Sequence, residues 1–350
     1  MEPMAQLPVD GRVTFRIPEV PLITPAKGHH LAEEIERDNQ QYIRAHLAPL
    51  YHDVDEFEDF VSEEHAGFVA WCYPTAKDDR IAIIAEWTSA WLAYDDVFSH
   101  GSKAGASPSR MRAMADKLMA ALRGPDVMEC PAFLRPAVDV MRRMAQGMSP
   151  QLRDRYLDTT QGYLEGTVKE VGFRARREMP GWQEYLDMHI LAGATWVLDT
   201  VEYGQGFDLT YELSASSELR EARRIAAEGV VMVNDLFSFR KEYSTGDHSN
   251  IVSSFMAGEN LSLQGSIDRL CDLIQDVERR FILKQAEVLA GPLGDRADVR
   301  AHLEALGYLL PGNMEWSLRT PRYQGAGYVY DGKRSLEVTL DPKASQQGES

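Results

Sequence analysis

In the segment VVMVNDLFSFRKEY, Asn234, Ser238 and Glu242 recur at intervals of four. Residues four apart on a helix lie one above the other, so an amide oxygen, a hydroxyl and a carboxylate fall on successive turns of one face. Three such oxygen donors suit a hard cation such as Mg²⁺, which keeps several waters and shares its shell with phosphate oxygens. A polar stripe also arises where a helix faces solvent, and the flanking Val230, Val231, Val233, Leu236 and Phe237 leave an inward-facing site as the other reading. Asp95 and Asp96 end the apolar stretch WTSAWLAYDD. Amphipathicity gives no reason for adjacent carboxylates beside Trp87, Trp91, Leu92 and Tyr94, and two acidic helices can clamp metal ions from opposite sides. In GNMEWSLRTPRYQ, Arg322 and Tyr323 offer a guanidinium fork and a phenol to phosphate oxygens, and Lys241 adds a point charge.

The elements that must position these residues are helical. From Leu31 onward apolar residues recur at three- and four-residue spacing, broken by short Gly/Pro/Asp/Ser segments, and period-two alternation is nearly absent. The spacing predicts helices near 31–48, 56–67, 79–98, 108–123, 131–146, 150–174, 182–201, 212–243, 247–256, 262–290 and 296–318. The breaks are too short for domain linkers and no repeat of 20 to 50 residues is visible, so one all-α domain over 26–323 is expected. Residues 1–25 and 324–350 lack helical periodicity and are expected to be mobile or locally extended.

Composition narrows the function classes. The chain has 350 residues, 44% of them hydrophobic and 26% charged, as in soluble globular proteins, and no apolar run reaches the roughly 18 to 20 residues of a membrane helix. The N-terminal stretch carries no legible targeting signal, which makes the cytoplasm the default location. A formal charge of −17 disfavours nucleic acid as a partner, and an anionic ligand needs local help. Cys72, Cys130 and Cys271 are too scattered for a disulfide framework or a structural zinc site.

Taken together, the three elements resemble bacterial class I terpene synthases over nearly the whole chain, from YPTA at Tyr73 to PRY at Tyr323. The resemblance implies a class I terpenoid synthase α-helical bundle. It further implies a Mg²⁺-dependent cyclase that ionises an isoprenyl diphosphate, farnesyl or geranylgeranyl, and closes the carbocation to a sesquiterpene or diterpene. NDLFSFRKE is similar to the family's second metal motif. On that likeness Asn234, Ser238 and Glu242 chelate one ion of three, and Lys241 contacts the diphosphate. Asp95 and Asp96 stand at the aspartate-rich metal motif, and Arg322 and Tyr323 at the diphosphate-binding end of the closing segment. Trp316 and Trp91 stand at pocket positions, with Tyr94 and Phe98 as further aromatic candidates for stabilising a carbocation, by about 0.5 to 2 kcal/mol each.

Two departures from the family pattern stand out. Ser99 and His100 occupy the places where a third acidic residue of the first motif is expected. In EYLDMHILAGATW, aligned on Glu184 and Tyr185, His189 falls where the family's Arg senses diphosphate, with Ala192 as linker and Gly193 as the effector whose carbonyl faces the ionising carbon. A His is a weaker, pH-dependent donor. It points to a bicyclic labdane-type diphosphate as an alternative substrate, or to Arg174 or Arg177 as the sensing cation. A helical binding protein of the same fold that no longer ionises substrate is the reading from another class. The family resemblance leaves monomer and homodimer both open.

Overall fold

A computed structural model describes residues 12–99, 107–124, 131–176, 178–244 and 247–340, with the backbone alone for 97–99. The side chains of Phe98 and Ser99, together with His100, Cys130, Arg177 and Gly246, lie outside the described residues.

The helices are α1 Ala32–His46, α2 Val54–Ser62, α3 His65–Cys72, α4 Asp78–Ser99, α5 Pro108–Arg123, α6 Arg135–Gln146, α7 Pro150–Arg176 and α8 Trp182–His189. They continue as α9 Thr195–Gln205, α10 Thr210–Ala215, α11 Ser217–Ser244, α12 Ile251–Glu259, α13 Leu263–Ala290, α14 Ala297–Arg319 and the single turn α15 Pro321–Gln324. The all-α expectation holds. Helix α11 is the axis of the bundle, buried almost continuously from Ile225 to Phe239 between α13 and α14. Helices α3 and α14 approach so closely that a Cβ at Gly312 would fall 2.2 Å from the carbonyl oxygen of Trp71.

Three expected helices are divided, two of them beside the site. The helix expected over 56–67 is two, α2 and α3, because Glu64 takes a left-handed conformation with φ of 54°. The helix expected over 182–201 is interrupted by a π turn at Ile190–Ala194. That over 212–243 breaks at Ser216, whose extended backbone separates α10 from α11.

Within the two segments without helical periodicity, five residues of each are extended and paired. Strand β1, Val13–Ile17, pairs antiparallel with β2, Leu336–Leu340, from Val13 opposite Leu340 to Ile17 opposite Leu336. Phe15, Ile17, Val338 and Leu340 are buried while their neighbours face out, the period-two signature of a half-buried ribbon. Phe15 meets the ring of Phe239 on α11 edge-on at 5.9 Å. A five-residue strand whose partner lies at the other end of the chain leaves little local signal, which is why periodicity missed it. Among the described residues no helix is long and apolar enough to cross a membrane, and Cys72 and Cys271 are buried free thiols.

Candidate active site

A cavity of about 130 Å³ lies between α4, α7, the π turn, α9, α11 and α14. Trp91, Asp95, His189, Gly193, Asn234, Trp316 and Tyr323 line it, with Phe68, Leu92, Tyr163, Trp196, Val197, Val230 and Val231 supplying most of the remaining wall. The structure thus gathers seven of the sequence-derived candidates around one space. Asp96, Ser238, Lys241, Glu242 and Arg322 do not line it.

The indole of Trp91 stands edge-on to Tyr163 at 4.7 Å and to Trp87 at 4.8 Å. Trp316 meets Phe68 at 5.3 Å and Tyr323 at 5.4 Å in the same manner, and donates its Nε1–H to the Glu64 carbonyl at 3.0 Å. These edge-to-face pairs hold the rings rigidly in the wall. Ala192, in the π turn, packs on Gly166 of α7, where a Cβ would lie 2.9 Å from both the Cβ and the backbone nitrogen of Ala192. A π turn reorients backbone carbonyls out of the regular helical ladder, and this one places Gly193 on the cavity surface.

On α11 the polar face is turned inward. Asn234 donates its amide N–H to the Tyr323 hydroxyl at 2.8 Å, which leaves its Oδ1 as an acceptor. One turn on, the buried Ser238 hydroxyl faces the Glu242 carboxyl. Glu242 accepts from Asn250 Nδ2 at 2.8 Å. Burial, then the neighbouring Asp235 and Asp247 carboxylates, push its carboxyl up to about 8. An acceptor amide, a buried hydroxyl and a crowded carboxylate form an oxygen donor set short of positive charge, and these residues fit a divalent cation.

Asp96 is engaged differently from the expectation of a metal ligand. Its oxygens accept from both terminal nitrogens of Arg322, at 2.8 and 2.9 Å, and from Lys241 Nζ at 2.6 Å. The two cations expected to meet diphosphate thus face the aspartate that follows the cavity-lining Asp95. Arg322 is buried, and a second carboxylate, Glu63, accepts from it at 2.7 Å.

His189 turns Nδ1 towards Asp235, 3.0 Å from Oδ1, and towards the Tyr185 hydroxyl at 2.9 Å. The opposite edge of the ring lies over Gly193, with Nε2 3.3 Å from where a Cβ would sit there. Burial alone would lower the imidazole's pKa, but Asp235, aided by Glu170 and Glu242, outweighs it and raises it to about 9. Arg174 pairs with Asp247 at 2.5 Å and does not line the cavity.

Asp235, Asn250, Glu63 and Glu170 are members of this neighbourhood that the sequence did not single out. Asp235 faces away from the Asn234 stripe, accepting the Ile251 N–H at 2.7 Å, and Asn250 donates to its carbonyl at 2.9 Å; together they start α12. Asp235 sat in plain view inside NDLFS, but the four-residue periodicity selects the other face. A grouping of His29, His30 and Asp78 elsewhere has metal-like proximity. It does not fit an ion: His29 accepts the Leu31 N–H at Nδ1, so its Nε2 carries the proton that meets the Ala76 carbonyl at 3.0 Å, and neither nitrogen is left to ligate.

The geometry agrees with comparisons of the chain. A protein from ancestral sequence reconstruction superposes with a TM-score of 0.78 over 87% of this chain and 90% of that one, at 24% identity, which speaks for the fold. Pristinol synthase of Streptomyces pristinaespiralis is 29% identical over 299 residues, 79% of each chain. A 7-epi-alpha-eudesmol synthase of Streptomyces viridochromogenes, described as cyclising (2E,6E)-farnesyl diphosphate, is 25% identical over 291 residues, 79% of this chain and 84% of that protein. The model of terpene synthase family 2, C-terminal metal binding, matches residues 86–280, a span that holds Asp95, the π turn and the whole polar face of α11. The chain belongs to the terpene synthase family and is an enzyme of its kind, a lyase acting on diphosphates.

Proposed function

We propose that the protein is a Mg²⁺-dependent terpene cyclase that takes farnesyl diphosphate to a cyclic sesquiterpene with release of diphosphate. The observation that carries this reading is the juxtaposition in one cavity of aromatic walls with Asp95 and Asn234, the first oxygen donor of the α11 stripe. The relative described as cyclising farnesyl diphosphate favours the shorter of the two isoprenyl chains considered.

Asp95, Asn234, Ser238 and Glu242 would hold the divalent ions, three by resemblance to the family. When bound, these neutralise charge on the departing diphosphate. Arg322, Lys241 and the His189 Nε2–H bind its oxygens, and Tyr323, fixed by Asn234, adds a phenol. The bond that breaks is the allylic carbon–oxygen bond, and its electron pair leaves with the diphosphate. No protein nucleophile is required, because a double bond of the same chain attacks the carbocation and a proton is lost at the end. The protein's part is to hold one folded conformer, exclude water and present the faces of Trp91 and Trp316 to the moving charge. Gly193 lies where the resemblance places the carbonyl that faces the ionising carbon.

Diphosphate release from farnesyl and geranylgeranyl diphosphates, with Mg²⁺ or with EDTA, tests the proposal. Metal-dependent release, faster with farnesyl diphosphate, is expected; no release from either overturns it.

A further inference from the structure

Beyond the pairing with Asp96, Arg322 is gripped by a corner of the chain far from it in sequence. Three side chains of the α14–α15 segment reach residues 63 and 64. Arg322 donates to Glu63 Oε2 at 2.7 Å, Thr320 Oγ1 to the Glu63 carbonyl at 2.6 Å, and Trp316 Nε1 to the Glu64 carbonyl at 3.0 Å. Glu64 holds a left-handed backbone, φ 54°, a conformation that a residue with a side chain keeps only where its surroundings enforce it. The fully buried His65 meets the same carboxylate oxygen, Nε2 to Oε2 at 2.8 Å.

A buried guanidinium must keep a counter-charge. Asp96 is the next residue after Asp95, and an arriving phosphate competes with it for Arg322. Glu63 stands on a different element, outside the cavity lining, so it can hold the guanidinium while that exchange occurs.

We propose that Glu63 is a positioning residue that holds Arg322 in place for diphosphate, itself locked by His65, Thr320 and Trp316 at the α2–α3 corner. The proposal rests on the reading of Arg322 as a diphosphate ligand.

The test is calorimetric titration of the full chain with inorganic diphosphate in excess Mg²⁺, on wild type, E63Q, R322K and the double variant. E63Q is expected to weaken diphosphate binding about tenfold in the wild-type background, and less than about twofold in the R322K background. The sign is informative, because removing a bystander's negative charge tightens the binding of an anion. Tighter binding by E63Q overturns the proposal, as does an equal loss in both backgrounds, the mark of a merely structural role. If circular dichroism shows E63Q unfolded, E63D carries the same cycle. It keeps the charge and withdraws it by one methylene, and is expected to weaken binding about threefold only when Arg322 is present; no effect overturns the proposal. Turnover of farnesyl diphosphate by the wild type is measured separately. Its absence, with diphosphate binding and the coupling intact, would fail the cyclase reading and leave the role of Glu63 standing; a wild type that binds no diphosphate overturns both.

Discussion

His189 Nδ1 lies 3.0 Å from Asp235 Oδ1, and the other oxygen of that carboxylate accepts the Ile251 N–H at 2.7 Å. One buried aspartate therefore ties the last residue of α8 to the first of α12 and keeps the imidazole protonated, with its pKa raised to about 9. In the sequence His189 looked like a weak replacement for an arginine. In the fold it is a cation at neutral pH, with one edge held by Asp235 and the other over Gly193.

This makes a pH prediction with a definite sign. The native pKa of about 9 exceeds the ordinary value near 6.5. The stability His189 contributes is therefore full below about 6.5 and is lost as pH rises through about 9. Loss of the charged donor lowers kcat over the same upper range, whereas H189R keeps its charge. A pH profile from 7 to 10 should show an alkaline fall in wild type that is absent in H189R; identical alkaline limbs would show that His189 is not the titrating donor.

Ser238 makes a prediction that two assays separate. Its buried hydroxyl faces the crowded Glu242 carboxyl, so S238A should leave metal-free stability within about 1 kcal/mol of wild type. If the hydroxyl is a metal ligand, the Mg²⁺ concentration for half-maximal turnover should rise about tenfold or more. Urea denaturation and a Mg²⁺ titration read the two effects, and a destabilised variant with an unchanged Mg²⁺ requirement would remove Ser238 from the donor set.

Gly166 tests the π turn. A methyl group there would collide with the Cβ and backbone nitrogen of Ala192 at 2.9 Å and with its Cα at 3.1 Å, so the turn must shift. G166A should cost about 1 to 3 kcal/mol as overpacking. It should also change the ratio of products, because Gly193 moves with the turn. A product profile like that of wild type would separate the turn from control of the reaction.

What was legible in the sequence is what repeats locally. The stripe of Asn234, Ser238 and Glu242 could be read because a helix stacks every fourth residue, and most helix spans followed from apolar spacing. The Asp96–Arg322 and Glu63–Arg322 pairs join residues more than two hundred positions apart, and no local period encodes them. The corner at Glu64 was hidden because non-glycine left-handed residues carry no reliable sequence signal, and the turn at Ile190–Ala194 was marked only by the resemblance that singled out Ala192 and Gly193. The β1–β2 ribbon was missed because each strand is short and its partner distant. The cavity's contour, which decides the product, emerges only when the helices pack.

The most direct test of the central claim is gas chromatography and mass spectrometry of the organic extract after incubation of the purified protein with farnesyl diphosphate and Mg²⁺, beside a parallel reaction in EDTA. The account predicts a cyclic sesquiterpene formed only with the metal. An acyclic alcohol as the sole product, or no product under either condition, would contradict it.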